Sequence, residues 1–154
     1  MSNSNRTGYF SRIAWILLAV SIGAAACSPR YFVASPSPPW KSVAVRPGIS
    51  FDRIWDQTVD LLVRHFDIAV LSKSDGYIRT EWLYRWTGKV TEDYRVRVTV
   101  KFTPDRTRCD LRAEAEYGGP DEWVLGFDQR LERELLESLQ DRIGRGGISG
   151  LDSP

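Results

Sequence analysis

The chain contains few side chains suited to nucleophilic or metal chemistry. It has two cysteines, Cys27 and Cys109, and one histidine, His65. A thiolate beside an imidazole is the arrangement of a cysteine nucleophile with its general base, and both groups are also zinc ligands. What these residues can do depends on the segments that position them.

The patterns around His65 and Cys109 favour structural roles. His65 falls on the apolar stripe at the end of a predicted helix, where the dipole favours an imidazole. Cys109 takes an inward position in an alternating strand, which is typical of a small buried hydrophobic residue. No HxxxH or CxxC spacing supports a metal site. Glu114 and Glu116 alternate toward solvent beside basic residues, so ion pairing is expected there. The sequence therefore predicts no enzyme and no cofactor.

The segment before Cys27 has three parts. Residues 1–12 are polar, with two arginines and no acid, residues 13–26 are apolar or small, and three alanines directly precede the cysteine. This order is typical of a secretory signal peptide, and the run is short for a membrane span of about 20 residues. The sequence AAAC resembles the lipobox of bacterial lipoproteins, with Ala24 where many members carry leucine.

The lipobox resemblance implies that Cys27 receives a diacylglyceryl group, and that cleavage before it and N-acylation follow. The alternatives are an ordinary secretory peptide and an uncleaved anchor, with the cysteine present by chance. In many enteric bacteria an Asp after the cysteine implies retention in the inner membrane. Ser28 therefore implies the periplasmic face of the outer membrane where that rule applies, with the inner membrane as the alternative. The expected partner is thus a lipid bilayer.

The residues after the cysteine are rich in proline and serine. Residues 27–47 are predicted to be a tether, of which 28–40 would span roughly 40 Å at about 3.1 Å per residue. Cleavage before Cys27 would remove two arginines and no acid, so the formal net charge would change from +1 to −1. A near-neutral balance of mixed signs argues against nucleic acid as a partner.

Residues 48–143 are predicted to form a single α+β domain. Apolar residues at helical spacing predict a helix over 51–66 with Ser50 as its N-cap. The predicted strands and the second helix are residues 68–71, 77–86, 94–102 and 108–117, then roughly 127–143. The order α-β-β-β-β-α predicts a two-layer sandwich, an antiparallel sheet with two helices on one face. Residues 144–154 are expected to be a flexible tail.

One stretch of the domain resembles the helix-grip domains of envelope lipoproteins. In FDRIWDQTVDLLVRHFDIAVLSKSDGYIRTEW, a helix with a tryptophan in its first turns leads into a strand, a turn and a strand led by glycine. The pattern is similar to the C subunit of the outer-membrane barrel-assembly machine, which has two such domains. This chain has one and a shorter tether. The resemblance covers residues 50 to about 117 and implies a helix-grip fold and a non-enzymatic envelope role.

The aromatic residues give two expectations. Trp82 and Tyr84 share one face of a predicted strand and are expected to fill the core, with surface exposure as the alternative. Arg85, Trp86 and Trp123 are expected to form a contact patch for an envelope protein, because Trp and Arg are the usual anchors of interfaces.

The function expected from these features is binding or scaffolding in assembly or maintenance of the outer membrane. The alternative is a binding protein for a lipid or another small apolar ligand. An apolar cavity of several hundred Å³ between the sheet and the helices would favour the ligand. A filled core with an exposed aromatic patch would favour the partner.

Overall fold

The computed structural model describes residues 29–84, 86 and 92–145. These residues form two helices, α1 (Phe51–Val63) and α2 (Gln129–Ile143). They also form the strands β1 (Phe32–Ala34), β2 (Lys41–Ala44), β3 (Ile68–Ser72), β4 (Tyr77–Thr80), β5 (Tyr94–Phe102), β6 (Arg108–Tyr117) and β7 (Val124–Asp128).

The seven described strands form a single antiparallel sheet. Its order is β1-β7-β6-β5-β4-β3, and β2 pairs with β6. β5 and β6 form the centre, paired from Tyr94 with Tyr117 to Phe102 with Cys109. β2 and β7 pair with successive parts of the other edge of β6. The fold is α+β and consistent with the predicted two-layer sandwich, although the sheet has seven strands where the sequence analysis predicted four.

The core lies between the helices and one face of the sheet. The inward side chains of β5 and β6 alternate as the sequence predicted, and Val96, Val98 and Val100 are fully buried. From α1, Trp55 packs on Phe102 with ring centroids 6.2 Å apart. The buried side chains of α2 belong to the same core, and they are Leu131, Leu135, Leu139 and Ile143. The outward side chains of β5 and β6 therefore lie on a face that the helices leave open.

Helix α1 is shorter at its end than the sequence predicted. The Ser50 side chain caps its beginning by accepting a hydrogen bond from the Arg53 amide. At its end the amides of His65 and Phe66 both donate to the Leu62 carbonyl, which closes the last turn. His65 therefore lies beyond the helix and is exposed, so its predicted place on the apolar stripe is wrong.

Two strands lie within the stretch predicted to be an extended tether. β1 pairs with β7, and Phe32 makes an edge-on contact with Tyr94 at a centroid distance of 6.2 Å. β2 pairs with β6, and Val43 is 3% exposed. The structure thus differs from the expected division of the chain, because the domain includes these residues as well as residues 48–143. Strands of three and four residues separated by prolines have too little alternation to be read from sequence.

The beginning of the predicted tail also contacts the sheet. Gly144 forms an isolated bridge with Val45, and the Arg145 amide donates to the Ala44 carbonyl at 3.0 Å. Residues 146–154 lie outside the described residues.

None of the helices in the described ranges is both long enough and apolar enough to cross a membrane.

Candidate binding surface on the open face of the sheet

The register between β4 and β5 changes between Arg79 and Leu83, just before Trp82 on the open face. Arg79 pairs with Thr99, but Leu83 forms a bridge with Val96. Residues 80–82 therefore lie opposite only two residues of β5. This is a β-bulge, in which one strand carries one extra residue.

The bulge decides which face each aromatic residue occupies. The Thr80 hydroxyl replaces a ladder partner by accepting a hydrogen bond from the Val98 amide at 3.0 Å. Because one extra residue reverses the alternation, Leu83 packs against the core, and Trp82 and Tyr84 lie on the open face. The prediction that Trp82 and Tyr84 fill the core is wrong for this reason.

Five side chains on the open face form what we call the aromatic–arginine cluster: Trp82, Tyr84, Arg95, Arg97 and Trp123. The Arg95 guanidinium carbon lies 4.1 Å from the ring centroid of Trp123 and 4.6 Å from that of Trp82. The Arg97 guanidinium carbon lies 4.3 Å from the Trp82 centroid. Cations within about 6 Å of an aromatic face are attracted by its quadrupole. The cluster therefore alternates rings and cations across neighbouring strands.

Arg95 is held at the centre of the cluster by hydrogen bonds. Its Nε donates to Glu116 Oε2 at 2.7 Å, and its Nη1 donates to the Tyr84 hydroxyl at 2.9 Å. Burial lowers the pKa of the guanidinium, but the bonds to Tyr84 and Glu116 outweigh that effect and raise it above its ordinary value. Arg95 is thus a fixed cation, and Tyr84, which is 38% exposed, marks the accessible edge of the cluster.

A second ion-pair group lies beside the cluster. Glu114 accepts a hydrogen bond from Arg97 Nε at 2.9 Å and lies 3.5 Å from Arg112 Nη2. The ring of Trp40 stacks on Arg112, with its centroid 4.5 Å from the guanidinium carbon. The predicted ion pairing of Glu114 and Glu116 is confirmed.

The structure gives Trp86 and Trp123, two of the predicted contact residues, different surroundings. Trp86 stacks on Phe66, with centroids 6.2 Å apart and planes at 18°, and packs against the core. Trp123 instead lies on Arg95 on the open face. Arg85 lies outside the described residues. Of the predicted patch, Trp123 therefore belongs to the open face and Trp86 does not.

Trp82 and Trp40 lie on the open face, although neither was predicted to do so. Trp82 was assigned to the core because the bulge is invisible in the alternation, and Trp40 fell in the predicted tether. Cys27 and Ser28 lie outside the described residues, so lipidation and sorting stay predictions.

Replacing Trp86 with alanine tests its structural placement. A fully buried aromatic residue costs 3–5 kcal/mol when truncated, so we expect about 2 kcal/mol for this half-buried ring in the free energy of unfolding. Trp123→Ala is the matched control, because a cation–π contact at an accessible site contributes only about 0.5–1 kcal/mol. Urea unfolding of the variants measures both values. Equal losses would contradict the placement of Trp86 against the core.

His65 and Cys109 have different environments. His65 is exposed after α1, whereas Cys109 is fully buried between β2 and β5. Burial, with a smaller effect of the Asp110 charge, raises the pKa of the Cys109 thiol to about 12. A thiol with this pKa is almost entirely protonated at neutral pH and is therefore a poor nucleophile. No group of three or more His, Cys, Asp or Glu side chains within the described ranges could hold a metal ion.

Grooves on the described part of the chain open at the surface. One of about 530 Å³ lies between β2 and α2, where Val43 and Leu136 line it. Another of about 410 Å³ lies on the open face, beside Trp40 and Lys101. The side chains between the sheet and the helices form a buried cluster.

No protein-family model matches the chain, and no curated protein matches it.

Proposed function

We propose that the chain is a lipid-anchored periplasmic lipoprotein of the outer membrane, whose domain is a non-enzymatic binding or scaffold module in envelope assembly or maintenance. The aromatic–arginine cluster carries the binding part of this proposal, and the lipobox-like segment ending at Cys27 supports the anchor.

The composition of the cluster suits a protein interface. Trp, Tyr and Arg are the residues most enriched at binding hot spots, and they bind best where rigid neighbours hold them in place. Here Trp82 is fixed between Arg95 and Arg97, and Arg95 is fixed by Glu116. A partner would therefore meet ordered rings and cations and would lose little side-chain entropy on binding.

The anchor and the cluster support each other in this proposal. Lipid at Cys27 would confine the domain near the membrane and raise its effective concentration toward membrane-bound partners. Among the described residues, both helices pack on the opposite face of the sheet, so neither covers the cluster.

A photo-cross-linking amino acid at position 84 tests the binding surface in cells. Tyr84 lies at the accessible edge of the cluster, so we expect one or a few discrete adducts with envelope proteins. The same amino acid at position 133, an exposed site on α2, is the control and should give none of these adducts. Adding Trp123→Ala to the position-84 protein should weaken the adducts. Identical adducts from both positions, or none from position 84, would contradict the proposed surface.

A further inference from the structure

A row of three polar side chains crosses the middle of the open face. Arg79 on β4 pairs with Thr99 on β5, and Thr99 pairs with Arg112 on β6. Side chains directly opposite on neighbouring strands have Cβ atoms about 4.5–5.5 Å apart. We call Arg79, Thr99 and Arg112 the arginine row. Its members lie close enough to contact one small ligand.

Each member of the arginine row has a buried polar atom without a hydrogen-bond partner among the described residues. These atoms are Arg79 Nε, Thr99 Oγ1 and Arg112 Nε. Thr99 is only 2% exposed, although it lies on the face that the helices leave open. A guanidinium has donors only, and a hydroxyl can donate one hydrogen bond. Each member of the row therefore has a donor that no described residue uses.

The carboxylates of the described residues balance the positive charge in and beside the row only in part. Within the described ranges, neither the Arg79 guanidinium nor the Lys101 ammonium forms an ion pair. Arg112 and Arg97 both form an ion pair with Glu114, and the Glu114 carboxylate lies nearer to Arg97. Lys101 is two residues from Thr99 on the same face of β5. The row therefore combines unpartnered donors with excess positive charge.

We propose that the arginine row binds the phosphate group of a phosphate ester. Guanidinium groups favour phosphate because their fixed forks of donors match its oxygens. Donors from three neighbouring strands fit a tetrahedral anion with several acceptor oxygens better than a planar carboxylate, which a single guanidinium can satisfy.

The groove beside the row has room for the rest of such a molecule. It has a volume of about 410 Å³ and is lined by Trp40, Ser42, Lys101, Arg108 and Asp110. Trp40 connects the two features, because its ring stacks on Arg112 and remains 43% exposed. Asp110 already accepts a hydrogen bond from Ser42 and pairs with Arg108, so its charge is compensated locally. The ligand would place its phosphate on the row and its remaining part against Trp40.

Two sources could supply this chemistry, a soluble phosphate ester or a phospholipid headgroup. In the solution arm, the full chain in a neutral detergent is titrated with glycerol 1-phosphate by calorimetry. In the membrane arm, the full chain carrying Cys27→Ser is floated with vesicles of phosphatidylcholine alone or with phosphatidylglycerol added. The difference between the two vesicle types removes any contribution of apolar insertion.

Arg79→Gln is the decisive variant, because Arg79 has no described partner whose loss would disturb the fold. Arg133→Gln on α2 removes the same charge at an exposed site and is the matched control. We expect Arg79→Gln to weaken binding at least tenfold and Arg133→Gln less than twofold. Thr99→Val should weaken it by a smaller factor, with the shape of the side chain retained.

Each outcome decides the proposal. Saturable binding of glycerol 1-phosphate that Arg79→Gln weakens supports a soluble ester. Binding seen only with phosphatidylglycerol vesicles, and weakened by the same variant, supports a lipid headgroup. Absence of binding in both arms, or equal weakening by Arg79→Gln and Arg133→Gln, would overturn the phosphate site.

Discussion

Cys27→Ala is expected to abolish incorporation of labelled palmitate and to leave the protein without a lipid anchor. In the proposed mature chain, acyl groups on the sulfur and on the new amino terminus hold the domain at the membrane. Each buried methylene contributes roughly 0.8 kcal/mol, and a single chain gives only marginal binding, so stable anchoring depends on more than one chain. Since all chains are attached at residue 27, one substitution should remove all of them. Metabolic labelling and the mass of the amino-terminal peptide measure this loss.

Cys109→Ala is the matched control in the labelling experiment, because it removes the other thiol of the chain. Cys109 is fully buried, so its replacement should leave the label unchanged. An ordinary secretory peptide predicts a different pattern, in which the wild-type protein carries no label and begins at residue 27 with a free thiol. Wild-type protein that incorporates no palmitate would contradict the anchor. Label that persists in Cys27→Ala would place the acyl group elsewhere.

Thiol counting gives an independent measurement of the same prediction. Of the two cysteines, Cys27 would be a thioether and Cys109 a buried thiol with a pKa of about 12. The folded protein should therefore react slowly with a thiol reagent at pH 8, and the unfolded protein should yield a single thiol. Two thiols per unfolded chain would contradict lipidation of Cys27.

The central strands were predictable because each carries its own pattern. In β5 and β6 the apolar residues alternate with polar or charged ones over nine and ten residues, which fixes both the strand and its inward face. The helices were also recognisable, since their apolar stripes exceed ten residues. The end of α1 differed, because local bonds from His65 and Phe66 to Leu62 close the helix before the apolar pattern ends. The beginning of α2 also differed, since residues 127 and 128 belong to β7 and the helix begins at Gln129.

The short outer strands were not predictable from their own residues. β1 has three residues and β2 has four, and each is a strand because β7 or β6 offers it hydrogen-bonding partners. Gly126 on β7 illustrates how close that contact is, because a Cβ there would lie 2.2 Å from the Val33 carbonyl oxygen. The hydrogen-bonding partners of β1 and β2 are set by the folded sheet, so the residues of each short segment do not reveal them.

Prediction of the candidate site from sequence depended on the register between strands more than on residue type. Arg95 and Arg97 were correctly assigned to the outward face, but Trp82 joins them only because the bulge at Thr80 reverses the alternation. The arginine row likewise requires knowing which residues of β4, β5 and β6 lie opposite one another. A single sequence contains the alternation within a strand and not the alignment between strands.

The second large effect is expected at Asp128, where the sheet passes into α2. Asp128 is 2% exposed, and its carboxylate accepts three hydrogen bonds. One oxygen accepts from the amides of Arg130 and Leu131, each at 2.9 Å, and caps the helix. The other accepts from the Tyr94 hydroxyl at 2.5 Å. Burial, together with this bond, raises the pKa of the Tyr94 phenol, so the hydroxyl remains a donor.

Asp128→Ala should reduce the free energy of unfolding by about 1.5–5 kcal/mol, the sum of two losses. Removing a helix cap costs about 0.5–2 kcal/mol. Leaving the buried Tyr94 hydroxyl without a partner costs about 1–3 kcal/mol more. For a domain of this size the melting temperature should fall by roughly 4 °C or more for each kcal/mol lost. Thermal and urea unfolding measure the change.

Asp128→Asn separates the two contributions, because its amide oxygen can still cap α2 and it should lose less stability than Asp128→Ala. Tyr94→Phe removes only the hydroxyl and retains the edge-on contact with Phe32. If the bond between the two side chains stabilises the fold, the double variant Tyr94→Phe/Asp128→Ala should lose less than the sum of the single losses. Strict additivity would mean that Asp128 acts through the cap alone. An Asp128→Ala protein as stable as wild type would contradict both roles, since a buried cap and a buried phenol cannot both lose their acceptor without cost.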